Sequence, residues 1–358
     1  MPKKNFQQQL DIIRSQIQTV LKQFLAAKLH HAKHIDPIFE KTVAFLRDQT
    51  LGGGKRVRAA LVIQGYLSVS KNVPKELYKI GAAMELIHTF LLIHDDVIDR
   101  DNLRRGKPSM RVRYQNMYQK YVDAQELSHA GNSFAILAGD IAYLWGYELF
   151  TSAKFPPTQK MQTLVEINNM IFKCGVGEIL DVNLGYRKKA KEKDILKVHR
   201  YKTASYTTEG PLVVGAKLAG AKKGLVQKLR LFSKPLGVAF QIQDDILGLF
   251  GDERETGKPV GSDLRQGKQT LLILHALQNG SSKDREQIVS ALGKKNITRN
   301  EIQNIRRIVY NTGSLQRSCA KVLQLIRKSK KILAETKIPT QVQHFLFNLS
   351  DYIANRSK

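Results

Sequence analysis

Apolar residues in this chain recur at intervals of three and four and almost never alternate. "LDIIRSQIQTVLKQFL" (10–25), "VQKLRLFSKPLGVAFQIQDDILGLF" (226–250) and "IQNIRRIVYNTGSLQRSCAKVLQLIRKSKKIL" (302–333) all follow that spacing, which lays an apolar stripe along an α-helix. Nowhere do several short alternating runs lie between turn signals, which argues against a β architecture. The helical stretches are punctuated by "LGGGKR" (51–56), "KFPPT" (154–158), "LAGAKKG" (218–224) and "GKPVGSDLRQGK" (257–268). The expectation is all-α: one large bundle of roughly ten or more helices, many of them buried because several are apolar nearly all round. At 358 residues and 42% hydrophobic, the chain has enough apolar material for a substantial core. No low-complexity linker divides it, so a single domain over 1–358 is expected.

Two cysteines, Cys174 and Cys319, offer no disulfide framework, which points to a reducing setting. The start, "MPKKNFQQQLDIIRSQIQTVL", lacks the continuous apolar core of a signal peptide. The longest apolar run, "FAILAGDIAYLWGYELF", is broken by Asp140 and Glu148, too early for a membrane span. A soluble, cytoplasmic protein is expected. The net charge of +27 is extreme, with eight basic and two acidic residues in "YRKKAKEKDILKVHRYK" (186–202). Nucleic acid is disfavoured as a partner, since aromatics are not interleaved with that run and no nucleic-acid motif appears. A basic field attracts phosphorylated substrates or an anionic membrane surface equally well, and a merely solvated basic surface stays open beside them.

Chemistry concentrates in two acid clusters. In "GAAMELIHTFLLIHDDVIDRDNLRRG" (81–106), His88, Asp95 and Asp99 fall on one polar stripe of an otherwise apolar helix. Two carboxylates one turn apart on a buried surface repel each other unless compensated. A divalent cation supplies that compensation, and carboxylate-only clusters suit Mg2+. A solvated helix end with ordinary ion pairs is the plain alternative. The second cluster, in "FQIQDDILGLF", puts Gln241, Asp244, Asp245 and Gly248 on one face. Each cluster is followed by a Gly-Lys-Pro loop, an internal echo that suggests two similar devices facing one site.

Anion-binding elements accompany the acids. "GGGKRVR" (52–58) combines a glycine backbone that can approach phosphate with the charges of Lys55 and Arg58. Arg104 and Arg105 follow the first cluster, Lys258 and Lys268 follow the second, and Lys202 with Thr203 form a further pair. Metal carboxylates plus these cations imply a substrate rich in phosphate. Apolar walls near Phe90 and Leu91 imply that its remainder is apolar, and no Walker or dinucleotide fingerprint favours nucleotides.

These residues resemble the trans-isoprenyl (polyprenyl) diphosphate synthase family. "GGGKRVR", "LIHDDVIDRDNLRRGKPS", "YKT" (201–203), "EGP" (209–211) and "FQIQDDILGLFGDERETGKPVGSDLRQGKQTLL" are similar to its segments, in its order, across about residues 50–275. The resemblance implies the isoprenoid synthase fold, helices around a central cavity, and a homodimer. It implies a Mg2+-dependent prenyltransferase of the geranylgeranyl or farnesyl diphosphate synthase type, which condenses isopentenyl diphosphate with allylic diphosphates. By resemblance, Asp95, Asp99 and Asp244 hold about three Mg2+ ions on the allylic diphosphate. Lys55, Arg58, His88 and Arg105 hold isopentenyl diphosphate, while Arg104, Lys258 and Lys268 grip the allylic diphosphate. Lys202, Thr203 and Gln241 line the position of the allylic cation.

Three positions depart from the family pattern: Gly248 where many members carry a third aspartate, Ala59 in place of a proline, and Glu178 where glutamine is commoner. Phe90, about 7–8 Å along the helix from Asp95 at 1.5 Å per residue, and Leu91 beside it are expected to form a floor that stops elongation. Geranylgeranyl diphosphate is the favoured product, with farnesyl diphosphate next. The competing readings are a class I terpene synthase, a non-catalytic partner subunit of a heteromeric synthase, and a basic nucleic-acid-binding protein.

Overall fold

The computed structural model describes residues 3–187, 189–251 and 260–355. Its regular structure is helical apart from one two-residue-per-strand hairpin, so the all-α expectation holds. The chain forms two compact units, one of residues 1–63 with 70–160, the other of 64–69 with 161–358.

The first unit contains α1 (Lys3–Ala32), α2 (Pro37–Leu51), the start of α3 (Val57–Leu67), α4 (Lys75–Ile98), α5 (Met110–Tyr118) and α6 (Ala124–Ser152). Asp36 caps α2 by accepting from the Ile38 N–H, ahead of Pro37 at the first helical position. The centre of this unit is α4, where every residue from Ile80 to Ile87 is buried. Helix α6 packs on it through small residues. A Cβ at Gly146 would meet Ile87 Cγ1 at 2.8 Å, and one at Gly139 would meet His94 at 2.4 Å, so side chains there would push the helices apart.

Helix α4 ends where the acid stripe ends. The chain then turns through Arg100 at φ 57° and enters an antiparallel hairpin of β1 (Leu103–Arg104) and β2 (Lys107–Pro108). Its two-residue turn, Arg105-Gly106, has φ values of 55° and 72°. Two successive positive values match the twist of a tight hairpin, and glycine adopts the second at no steric cost. Arg105 takes the first, and its side chain is thereby aimed at the glycine loop of residues 52–55.

The second unit holds most of α7 (Pro157–Arg187), then α8 (Glu192–Val198), a π-helical segment (His199–Glu209), α9 (Gly210–Leu218), α10 (Lys223–Phe250), α11 (Ser262–Gln266), α12 (Leu271–Asn279), α13 (Ser282–Ala291), α14 (Arg299–Asn311), α15 (Ser314–Ala334) and α16 (Thr340–Ala354). Capping boxes start α13 at Ser281/Asp284 and α14 at Thr298/Glu301. The core helix is α10, which carries Pro235 in its interior. Proline cannot complete the helical ladder, and nearby carbonyls receive hydroxyl donors instead: Thr208 to Ser233 at 3.0 Å and Ser329 to Phe232 at 2.8 Å. A buried ion network also ties this unit together. Glu166 accepts from Arg230 and lies 2.9 Å from Lys217, while Glu209 takes Arg230 at 2.8 Å and Lys173 at 3.3 Å.

Among the described residues, no helix is long and apolar enough to cross a membrane.

Candidate active site

In the first unit the polar stripe of α4 is surrounded by arginines. Burial, then Arg58, Arg105, Arg104 and Arg56, holds His88 well below the ordinary histidine range, so its imidazole is neutral. Of the motif's arginines, Arg104 folds back onto the acids. Its guanidinium donates to Asp96 at 2.8 Å and to Asp95 at 3.1 Å and lies 3.6 Å from Asp101. Asp96 is fully buried, and this burial pushes its carboxyl up to about 6 against the pull of Arg104. Asp96 and Asp101 therefore support the motif by positioning Arg104. Asp95, which shares Arg104 with them, and Asp99 are half-buried.

Arg105 points the other way and donates to the Gly53 carbonyl at 2.8 Å. The loop carries its glycines at φ 102° (Gly53) and 108° (Gly54). Such values need glycine, and they bring the backbone up to the arginine. Lys55 is exposed on this loop and Arg58 lies in the first turn of α3. Arg56 between them is different: it is buried and paired with Glu85 at 3.0 Å. The cations of "KRVR" thus divide: Arg56 is in the core, while Lys55 is exposed and Arg58 half-buried. Arg104, Arg105, Lys107 and Arg113 line a cleft with Gly52 and Leu92, a concentration of positive charge suited to an anion.

In the second unit, Lys202 and Thr203 sit on the π-helical segment rather than on an α-helix. Lys202 Nζ donates to Glu178 Oε1 at 3.0 Å and to Asp181 Oδ2 at 2.8 Å. The two carboxylates stand one turn apart on α7, so the "GEILD" segment forms a cradle for this ammonium. Thr203 Oγ1 donates to Gln241 Oε1 at 2.6 Å, and Gln241 Nε2 donates to Asp245 Oδ1 at 2.8 Å. The other Asp245 oxygen lies 3.2 Å from His199 Nε2. Asp244 is half-buried beside them. A Cβ at Gly248 would lie 2.8 Å from Asp263 Oδ2, so a carboxylate from α11 stands against the glycine that replaces a third aspartate. Lys268 leaves α11 with its N–H on the Asp263 carbonyl at 2.9 Å. Lys258 lies outside the described residues.

His199, Asp263 and the role of Asp181 were not legible in the sequence. None has a local signature: each acquires its meaning from a partner on another helix. The ring of Phe90 lies 4.7 Å from that of His94 and 5.0 Å from that of Tyr143, between α4 and α6. Leu91 is half-buried beside it.

An all-helical protein with hard carboxylate donors on α4, clustered guanidinium groups and an oxygen-lined lysine on a π-helical segment has the makeup of an enzyme for diphosphates. Comparison with known proteins makes the class specific. The polyprenyl synthetase family model matches residues 40–309. Geranylgeranyl diphosphate synthase of Sulfolobus acidocaldarius is 34% identical over 72% of this chain and 73% of its own length. That of Methanosarcina mazei is 28% identical over 91% and 96%. The crystal structure of geranylgeranyl pyrophosphate synthase from Corynebacterium glutamicum, complexed with isoprenyl diphosphate and magnesium, superposes with a TM-score of 0.90 at 29% identity, covering 99% of this chain and all of that one. The chain belongs to the polyprenyl synthetase family and is a prenyltransferase.

Proposed function

We propose that the chain condenses isopentenyl diphosphate with an allylic diphosphate to give a short-chain all-trans prenyl diphosphate, geranylgeranyl diphosphate first and farnesyl diphosphate next. The observation that carries this reading is the α4 stripe, in which Asp95 and Asp99 lie two to three turns along the same helix face from a His88 held neutral by burial and the charges of nearby arginines. The named relatives point to the same product class. The family model runs through both compact units, which supports treating 1–358 as one catalytic domain.

The carboxylates of Asp95, Asp99 and Asp244 fit Mg2+, because they are hard oxygen donors at half-buried positions. Bound there, the metal would neutralise the departing diphosphate and ease rupture of the allylic C–O bond. The protein's own groups do the rest. Lys55, Arg58 and Arg105 hold the isopentenyl diphosphate by charge, with His88 as a neutral hydrogen-bonding partner. Arg104, Lys258 and Lys268 orient the allylic diphosphate. Lys202, Thr203 and Gln241 surround the allylic carbon with fixed dipoles and exclude water. Phe90 and Leu91 limit how far the product extends.

A second copy of this chain is the proposed partner. Val165, Phe172, Ile179 and Tyr186 recur every seven residues along α7 and are 54%, 71%, 70% and 81% exposed, a seam suited to a helical homodimer. A cytoplasmic location agrees with the free Cys174 and Cys319. The net charge of +27 supports peripheral attraction to an anionic membrane as well as to diphosphates.

The test is incubation of the purified chain with labelled isopentenyl diphosphate, each allylic starter and Mg2+, followed by sizing of the products. Elongation to geranylgeranyl diphosphate is expected, with loss of turnover in Asp95→Ala and in Asp244→Ala. Absence of prenyl elongation with every starter would overturn the reading.

A further inference from the structure

The hydrogen bonds that join the π-helical segment to α10 have a direction, and one residue sets it. Asp245 presents a carboxylate, which accepts hydrogen bonds and donates none. Gln241 reaches it at 2.8 Å and must therefore turn its –NH2 toward Asp245 Oδ1. That orientation leaves Gln241 Oε1 facing Thr203, 2.6 Å away. Thr203 has one hydroxyl hydrogen, and this contact commits it to Gln241. The remaining valences of the Thr203 oxygen are lone pairs. His199, buried on the same segment, lies 3.2 Å from the second Asp245 oxygen and backs the carboxylate from the other side.

We propose that Asp245 is a positioning residue that orders the protons of Gln241 and Thr203, so that Thr203 turns lone pairs, not an O–H hydrogen, toward the allylic cation. This rests on the prenyl transfer proposed above. A reversed amide would donate to Thr203 and free its hydrogen to point at the developing positive charge, where a dipole of the wrong sign raises the barrier. Asp245 acts through Gln241 and does not touch substrate. It thus differs in kind from Asp244, its neighbour in sequence, to which metal binding is assigned.

Two variants of Asp245 separate these roles. Asp245→Asn keeps an acceptor for the Gln241 –NH2, whereas Asp245→Leu removes it. The asparagine variant is expected to keep turnover within about threefold, with an unchanged Mg2+ concentration for half-maximal activity. The leucine variant is expected to lose about tenfold to hundredfold in turnover, with KM for both diphosphates little changed and more allylic diphosphate released as prenyl alcohol per elongation. In a Thr203→Val background the Asp245→Leu change should cost little further, since the two residues act in one chain. If the leucine protein does not fold, Asp245→Ala, which also removes the acceptor, takes its place in the cycle with Thr203→Val, and again non-additivity is required. Equal damage from asparagine and leucine, a shifted Mg2+ dependence in Asp245→Asn, or additive losses would each overturn the proposal. Wild-type protein without elongation activity would instead remove the functional reading itself.

Discussion

A Cβ placed on Gly177 would lie 2.1 Å from the backbone nitrogen of Lys202 and 2.5 Å from its Cα. Helix α7 and the π-helical segment therefore meet backbone to backbone, and Cys174 adds an S–H contact to the Lys202 carbonyl at 3.3 Å. This close approach is what lets Glu178 and Asp181 reach the Lys202 ammonium. Gly177→Ala should destabilise the fold by about 1–3 kcal/mol or more through overpacking against main chain that has no rotamer to yield, and lower turnover with it. Thermal unfolding checks this, with Gly175→Ala as control because nothing lies within 4 Å of a Cβ there. Equal melting temperatures for the two variants would refute the contact's importance.

Arg56 and Glu85 form a pair whose side chains are 2% and 3% exposed, 3.0 Å apart, with Arg56 also donating to Gln18 and to the Thr50 carbonyl. Removing one partner strands a buried charge. Arg56→Met should cost on the order of 3–5 kcal/mol in denaturant unfolding. Adding Glu85→Leu to it removes the stranded carboxylate, so the double variant should lose less than Arg56→Met alone. A loss below about 1 kcal/mol in the single variant would show that water reaches the pair.

The carboxyl of Asp96, raised to about 6 mainly by burial, sets a pH dependence whose sign is unusual for an aspartate. The folded state holds the Asp96 proton more tightly than the unfolded chain does. This group's contribution is thus fully present below about pH 4 and is lost as pH rises through 6. Relative to Asp96→Asn, which mimics the protonated form, wild-type protein should lose on the order of 2–3 kcal/mol between pH 4 and 7. Parallel denaturant midpoints across that range would contradict the shift.

Phe90 fills the space between α4 and α6 against His94 and Tyr143. Its truncation to alanine opens room one to two turns from Asp95, so Phe90→Ala should extend the product by one or more isoprene units on chromatography. An unchanged product length would move the floor of the cavity elsewhere.

Much of this molecule was legible without coordinates. The spacing of apolar residues marks the helices because helix geometry is local, and "LGGGKR", "KFPPT" and "LAGAKKG" mark breaks between them because glycine and proline end helices through their own backbone preferences. The stripe of His88, Asp95 and Asp99 follows from the same local geometry. Packing decided which charge meets which. Within the string "DRDNLRRG", Arg104 turns to Asp96 while Arg105 turns to the Gly53 carbonyl, because a two-residue hairpin turn at Arg105-Gly106 sends them in different directions. In "KRVR", Arg56 is structural, since its side chain turns inward to Glu85 on α4.

By itself, then, the sequence determined the helical class, several of the breaks between helices, and the alignment of His88, Asp95 and Asp99 on one helix face, all of which depend on local helix geometry. Only the tertiary structure decided that Lys202 is cradled by residues 24 and 21 positions away and that Thr203 meets Gln241 38 positions on. It also decided that these residues ride on a π-helical segment, whose wider turn has no repeat in the sequence to announce it. Hydrogen bonds and ion pairs act over about 3 Å, and only the packing of α7 and α10 against that segment brings such distant residues within that range.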